Sequence, residues 1–145
     1  MTVPTMEGIT AKTIVTERLT TRVLFSGDVV FNERVPFLGD ADTRHWLKVL
    51  ERMDREQLTA LVPGHGPVSN DPRKAIDFTR RYLEYLRMTM GVAVQGLVAF
   101  DDAYADVDWS GFDMLPAFAE ANRRNAYQVY LSMEAEILRE KSLPA

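Results

Sequence analysis

A carboxylate and an imidazole each follow an apolar stretch that predicts a β-strand. The stretch 22–26 ends in Gly27-Asp28, and the stretch 58–62 runs into a turn that presents His65 between two glycines. Glycine permits backbone angles and close approaches that a residue with a Cβ resists. Imidazole nitrogen and carboxylate oxygen both bind divalent cations such as zinc. We therefore expect Asp28 and His65 to share one cation site at an edge of a sheet.

Each motif has a simpler explanation when it is taken alone. A Gly-Asp pair after a strand is most often a turn, and a lone Gly-His-Gly is most often an ordinary loop. Here the two motifs occur together, with a predicted helix between them. This combination favours the functional interpretation.

The stretch from Val23 to Ser69 is VLFSGDVVFNERVPFLGDADTRHWLKVLERMDREQLTALVPGHGPVS. With Asp28 in its GD and His65 in its PGHG, it resembles the second half of a hydrolase of the metallo-β-lactamase superfamily. The resemblance extends from Thr21 to Leu138 and includes Arg124-Asn125-Ala126-Tyr127. Within that superfamily, the chain resembles most the SoxH-like or quinoprotein-associated zinc hydrolases.

The resemblance implies metal-dependent hydrolysis, in which Asp28 bridges two metal ions and His65 completes the second metal site. Zinc lowers the pKa of bound water from about 15.7 to about 7, so that water attacks a carbonyl at neutral pH. Two ions about 3.5–4 Å apart stabilise the oxyanion that forms. The implied substrates are esters, thioesters or lactams.

The chain departs from that superfamily at its most specific motif. It has no His-x-His-x-Asp-His and no histidine before the GD strand, because its two histidines are His45 and His65. A catalytic zinc usually has three protein ligands. We therefore expect a lone chain to bind zinc weakly and to turn over little. The alternative, from another class of protein, is a non-catalytic scaffold domain that derives from this fold and acts through self-association.

The resemblance implies an α/β (α+β) fold, namely the C-terminal half of a metallo-β-lactamase αβ/βα sandwich with one small sheet covered by long helices. One apolar face of such a half sheet lacks its partner, and a large apolar face is rarely left exposed on a monomer. We therefore expect a homodimer, or a partner chain that supplies the missing N-terminal half.

The composition is that of an ordinary globular domain. The chain has 145 residues, 46% of them apolar, a net charge of −4 and no cysteine. These values predict a single domain over 1–145, give no basic footprint for nucleic acid, and exclude disulfides and thiolate metal sites. The apolar runs are too short to cross a membrane, and residues 1–8 form a leader without the features of a secretory signal. We therefore expect a cytoplasmic protein.

Periodicity and turn signals predict the elements that must position the two residues. Residues 9–70 are predicted as the half with the sheet: a hairpin of strands 9–16 and 22–26, a loop over 29–40, a helix over 43–55 capped by Asp40 or Asp42, and the strand before His65. Residues 71–145 are predicted as the helical part: a helix from Pro72 capped by Ser69 or Asp71, a connector over 100–113 and a helix over 115–140. The core stripe of the first of these helices is predicted to be Phe78, Tyr82, Leu86, Met90, Val94 and Leu97.

Three other polar groups have ordinary explanations. His45 is predicted to be a surface or partly buried histidine on the first helix. The acids of the 100–113 connector lack the central glycine and terminal glutamate of a calcium loop, which favours solvated acids and helix caps. Arg123 and Arg124 are candidate binding residues beside Asn125 and Tyr127, on a helix to which the resemblance assigns a mainly structural role.

Overall fold

A computed structural model describes residues 12–16, 21–54 and 57–144, with side chains from residue 23 onward. The predicted leader, the start of the first strand and the turn before residue 21 lie outside the described residues. The described part is a mixed α/β fold. Its elements are β1 (Lys12–Thr16), β2 (Thr21–Phe31), α1 (Thr43–Asp54), β3 (Ala60–His65), α2 (Pro72–Gln95), α3 (Phe100–Asp106) and α4 (Phe118–Ser142).

The three described strands form one sheet in the order β1-β2-β3. β1 pairs antiparallel with β2, as the hairpin pattern predicts. β2 pairs parallel with β3, and Leu24 lies opposite Leu61. Parallel neighbours require a crossover connection, which α1 provides. Because Asp28 and His65 both come late in these parallel strands, they lie at the same end of the sheet.

Both strands of the candidate site are longer than predicted. β2 continues to Phe31 instead of ending at Ser26, because the residues that follow a bulge at Gly27 are apolar and buried. β3 continues through Pro63 to His65, beyond the predicted stretch 58–62. An edge strand accepts proline because no second neighbour needs the missing N–H.

Helices α1 and α2 cover one face of the sheet. Trp46 of α1 is fully buried, and its indole N–H donates to the carbonyl of Val29 over 2.8 Å. The predicted core stripe of α2 is confirmed at Tyr82, Leu86, Met90 and Val94, whereas Phe78 is only half-buried. The prediction was wrong for Leu97, which is 93% exposed, because α2 ends at Gln95 and Leu97 has a φ of +57° beyond the helix.

The starts of α1 and α2 follow the capping signals of the sequence, whereas α3 and α4 begin after Ala99 and Ala117 without a side-chain cap. Asp42 accepts the backbone N–H of His45 over 3.1 Å, and Asp71 accepts that of Lys74 over 3.2 Å. Such bonds satisfy amide groups that have no partner inside the helix.

The 100–113 connector differs from its prediction, because it contains the short helix α3. Among the described residues, no helix combines the length and the apolar character that crossing a bilayer requires.

Candidate functional site

The structure brings the two predicted site residues together. Nε2 of His65 lies 3.2 Å from Oδ1 of Asp28, and the two side chains are 45% and 55% exposed. The pair therefore faces solvent, where a ligand can reach both atoms. The expected juxtaposition is present, and the role of the pair as metal ligands stays a prediction.

Gly27 aims Asp28. Its φ of +54° lies in the left-handed region, and the register between β2 and β3 shifts on both sides of it. A bulge of this kind bends the strand and redirects the side chains that follow. Glycine adopts this angle at little cost, whereas a residue with a Cβ is strained there. The bulge thus turns the carboxylate of Asp28 toward the end of β3.

Gly64 allows the two strands to approach closely at the site. A Cβ at this position would lie 2.6 Å from the carbonyl carbon of Gly27 and 2.7 Å from Oδ1 of Asp28. Real Cβ atoms do not make contacts this short, because the atoms would overlap. The absence of a side chain at Gly64 therefore lets β3 deliver His65 directly beside the carboxylate.

Gly66 is required on the other side of the histidine. It has a φ of +96°, and a Cβ there would lie 1.9 Å from the carbonyl oxygen of Asn32. The turn after His65 consequently passes against the end of β2. Glycine is therefore required on each side of His65 for a different steric reason. Gly64 packs against the bulge at Gly27, and Gly66 packs against the backbone of Asn32.

Phe31 and Thr79 connect this pair to the core. The ring of Phe31 stacks on the imidazole of His65, and Phe31 itself is 2% exposed. The hydroxyl of Thr79 on α2 accepts the backbone N–H of Phe31 over 3.1 Å and donates to its carbonyl over 3.3 Å. Helix α2 therefore fixes the last residue of β2, and that residue supports the histidine ring.

Helix α4 holds the loop that leaves the site. The side chain of Asn125 is buried, accepts the backbone N–H of Leu38 over 3.1 Å and donates to the carbonyl of Pro36 over 2.6 Å. Asn125 also donates to the hydroxyl of Tyr82 over 3.0 Å. Asn125 therefore has a structural role, as expected for this helix.

The remaining sequence candidates lie elsewhere. His45 is exposed on α1. Arg123 pairs with Asp101 over 2.5 Å and lies over the ring of Phe100, 5.1 Å from its centroid. Asp108 accepts the backbone N–H of Ser110, which lowers the pKa of its carboxyl group. Asp101 and Asp108 thus act in an ion pair and in a turn.

The donor atoms of Asp28 and His65 fit one metal ion. Two ligand atoms on a tetrahedral zinc, each about 2.0–2.1 Å from the metal, are separated by about 3.3 Å. The observed separation of 3.2 Å matches this value, and the donor set of one nitrogen and one oxygen suits zinc. Within the described residues, no group of three or more His, Asp or Glu side chains is placed to hold a metal ion. The pair therefore offers two donor atoms, which is fewer than the three protein ligands usual for a catalytic zinc.

Sequence reasoning missed the residues that support the pair, namely Phe31, Asn32 and Thr79. Asn32 is buried after three apolar residues, and Thr79 is a buried hydroxyl on the apolar side of α2. A polar side chain inside an apolar pattern is a usable signal, because a buried polar group needs a hydrogen-bond partner.

Neither a protein-family model nor a curated protein matches this chain.

Proposed function

We propose that this chain supplies the Asp28–His65 part of a zinc site in a hydrolase of the metallo-β-lactamase type, with the remaining ligands provided by a second copy of the chain. The observation that carries this proposal is the 3.2 Å separation of the two donor atoms on half-exposed side chains. The steric requirements for glycine at Gly64 and Gly66 support it, because the backbone is shaped around this pair.

Each residue has a distinct role in the proposed site. Bound zinc would supply Lewis acidity, which lets water attack an ester, thioester or lactam carbonyl at neutral pH. Asp28 would hold the metal through a carboxylate oxygen and neutralise part of its charge. His65 would hold it through Nε2, while the ring of Phe31 shields one face of the imidazole from water.

The proposed fold is one half of an αβ/βα sandwich, and the two faces of the sheet support it. On the face covered by helices, Leu24 and Leu61 are fully buried. On the opposite face, Phe25 is 43% exposed and its neighbour Val62 is half-buried. Phe25 and Val62 lie side by side on this face, and a sheet normally buries its apolar side against a second layer. The partner that we propose for this face is a second copy of the chain.

Zinc binding tests the proposed site. Isothermal titration of metal-free protein with zinc is expected to show binding for the wild type and to lose it in His65→Ala. His45→Ala is the matched control, because His45 is an exposed histidine on α1 and its removal should leave zinc binding unchanged. Wild-type protein that binds no zinc, or equal binding by both variants, would contradict the proposal.

A non-catalytic scaffold domain is the second candidate. It is favoured by the observation that the described side chains offer no third metal donor beside Asp28 and His65. Both candidates predict self-association through the open sheet face, and only the first predicts bound zinc. Sedimentation analysis should therefore find a dimer that Phe25→Asp dissociates, whereas Met114→Asp, at a 92% exposed position in the loop before α4, should leave it intact. A dimer that binds no zinc would favour the scaffold, and a wild-type monomer would contradict the proposed assembly.

A further inference from the structure

Asn32 contacts the histidine turn at three points. Its backbone N–H donates to the carbonyl of His65 over 3.1 Å, and its side-chain Nδ2 donates to the carbonyl of Pro67 over 3.0 Å. Its own carbonyl oxygen packs so closely against Gly66 that a Cβ on that residue would lie only 1.9 Å from it. The three successive residues of the turn are thus packed on one asparagine, which is 8% exposed.

These contacts lie on both sides of the imidazole's attachment point. The bond to the His65 carbonyl fixes the backbone directly after the histidine Cα, and the bond to the Pro67 carbonyl fixes it two residues later. On the other side, Gly64 is wedged against Gly27 and Asp28. The backbone that carries the imidazole is therefore held by Asn32 as well as by the pairing of β3 with β2.

We propose that Asn32 is a positioning residue for His65, holding the turn so that Nε2 faces both Asp28 and a divalent metal ion. The inference rests on the proposed zinc site, since it assigns Asn32 to that site. The side-chain amide is the essential group, because it donates a hydrogen bond that neither an alanine nor a carboxylate can donate. An alanine at this position keeps the backbone N–H that bonds the His65 carbonyl, so the loss is confined to the side-chain bond.

The experiment compares Asn32→Ala with Asn70→Ala. Asn70 is an exposed asparagine shortly after the same turn, so it controls for removal of an amide. We expect Asn32→Ala to weaken zinc binding by about 10- to 100-fold, as measured for outer residues that orient metal ligands, and Asn70→Ala to leave it unchanged. Zinc affinity is measured by competition titration.

A second readout needs no metal. Nitrogen-15 spectra of the histidine side chains in metal-free protein report the tautomer and surroundings of each imidazole. We expect the His65 signals to move in Asn32→Ala while the His45 signals stay in place. A merely structural role would lower the free energy of unfolding and leave the imidazole signals of the folded protein unchanged.

The outcomes separate the two proposals. If the wild type binds zinc and Asn32→Ala binds it equally well, the positioning role is overturned and the zinc site stands. If the wild type binds no zinc, the zinc site fails, and unchanged His65 signals in metal-free Asn32→Ala then overturn the positioning role as well. Should Asn32→Ala fail to fold, metal-free Asn32→Ser takes its place. We expect its nitrogen-15 spectrum to show shifted His65 signals, and unchanged signals would again overturn the role.

Discussion

The ring of Phe31 lies almost parallel to the imidazole of His65, with centroids 5.0 Å apart and planes 11° apart. Phe31 is the final residue of β2 and also contacts Trp46 of α1, at a centroid distance of 6.3 Å. A ring confined between the core and the imidazole limits how the histidine can rotate. The geometry of the exposed pair is thus set by a buried residue that has no chemistry of its own.

Replacing Gly64 with alanine should separate the site strands. The new Cβ would stand 2.6 Å from Gly27, so that backbone must shift, and we expect the free energy of unfolding to fall by about 1–3 kcal/mol. Urea denaturation measures this change. Gly111→Ala is the control, because no atom lies within 4 Å of a Cβ there and a change within about 0.5 kcal/mol is expected. Equal stability of the two variants would show that β3 does not pack as described.

Replacing Thr79 with valine should loosen the end of β2. The substitution keeps the shape of the side chain and removes the hydroxyl that bonds both backbone groups of Phe31. We expect a loss of about 1–3 kcal/mol in the free energy of unfolding, because a buried N–H and carbonyl lose their partner. Thermal and urea denaturation provide the measurement.

Thr89→Val is the matched control for this change. Thr89 lies on the same helix, and its hydroxyl donates to carbonyls of that helix, at Tyr85 and Leu86. Its removal should cost less than about 1 kcal/mol, because those carbonyls keep their helical bonds. A larger loss in Thr89→Val than in Thr79→Val would contradict the proposed anchor.

Replacing Tyr82 with phenylalanine should destabilise the protein most below pH 10. The hydroxyl donates to Asn122 over 2.7 Å and accepts from Asn125 over 3.0 Å, so we expect a loss of about 1–3 kcal/mol at neutral pH. Burial raises the pKa of Tyr82 well above its ordinary value. The folded protein therefore keeps this proton at a pH where the unfolded chain releases it.

The sign of the pH dependence follows from this shift. The stabilisation linked to the proton is fully present below about pH 10, the ordinary pKa of tyrosine, and decreases as the pH rises further. The stability difference between wild type and Tyr82→Phe should consequently shrink above about pH 10. Denaturant titrations at several pH values measure it, and a constant difference up to pH 11 or so would refute the assignment.

Two ion pairs should differ in their effect on stability. Arg87 binds Glu136 over 2.8 Å with side chains 16% and 19% exposed, whereas Arg123 and Asp101 are 57% and 82% exposed. Glu136→Gln should cost about 1–3 kcal/mol, because the guanidinium remains half-buried with a weaker partner. Asp101→Asn should cost about 0–1 kcal/mol, because water screens an exposed pair. Calorimetric unfolding compares the two, and an equal loss would contradict the difference in burial.

Local patterns in the sequence predicted the parts of the fold that depend on neighbouring residues. The caps at Asp42 and Asp71 each depend on a short stretch with a hydrogen-bonding cause. The ends of the two site strands were predicted too early, because β2 continues to Phe31 and β3 to His65. Helical spacing gave a wrong prediction where the apolar pattern continues beyond the end of the helix. Leu97 continues the spacing of α2, yet the helix has already ended at Gln95.

The support of the site could not be predicted from such patterns. Thr79 and Phe31 are 48 positions apart in the chain, and Asn32 reaches Pro67 across 35 positions. These contacts exist because α1 returns the chain to form β3 beside β2. Their residue types become informative only after that crossover is known.

Pro63 has a consequence for how this protein can meet other chains. It lies in β3, the outer strand on its side of the described sheet, and Leu61 of that strand already exchanges two backbone hydrogen bonds with Ser69. An incoming strand could not form a hydrogen bond to an amide at Pro63, and the backbone groups of Leu61 are already bonded to Ser69. This edge therefore resists the addition of another strand and the fibre growth that can follow. Recognition at this end of the molecule must depend on side chains rather than on a shared backbone ladder.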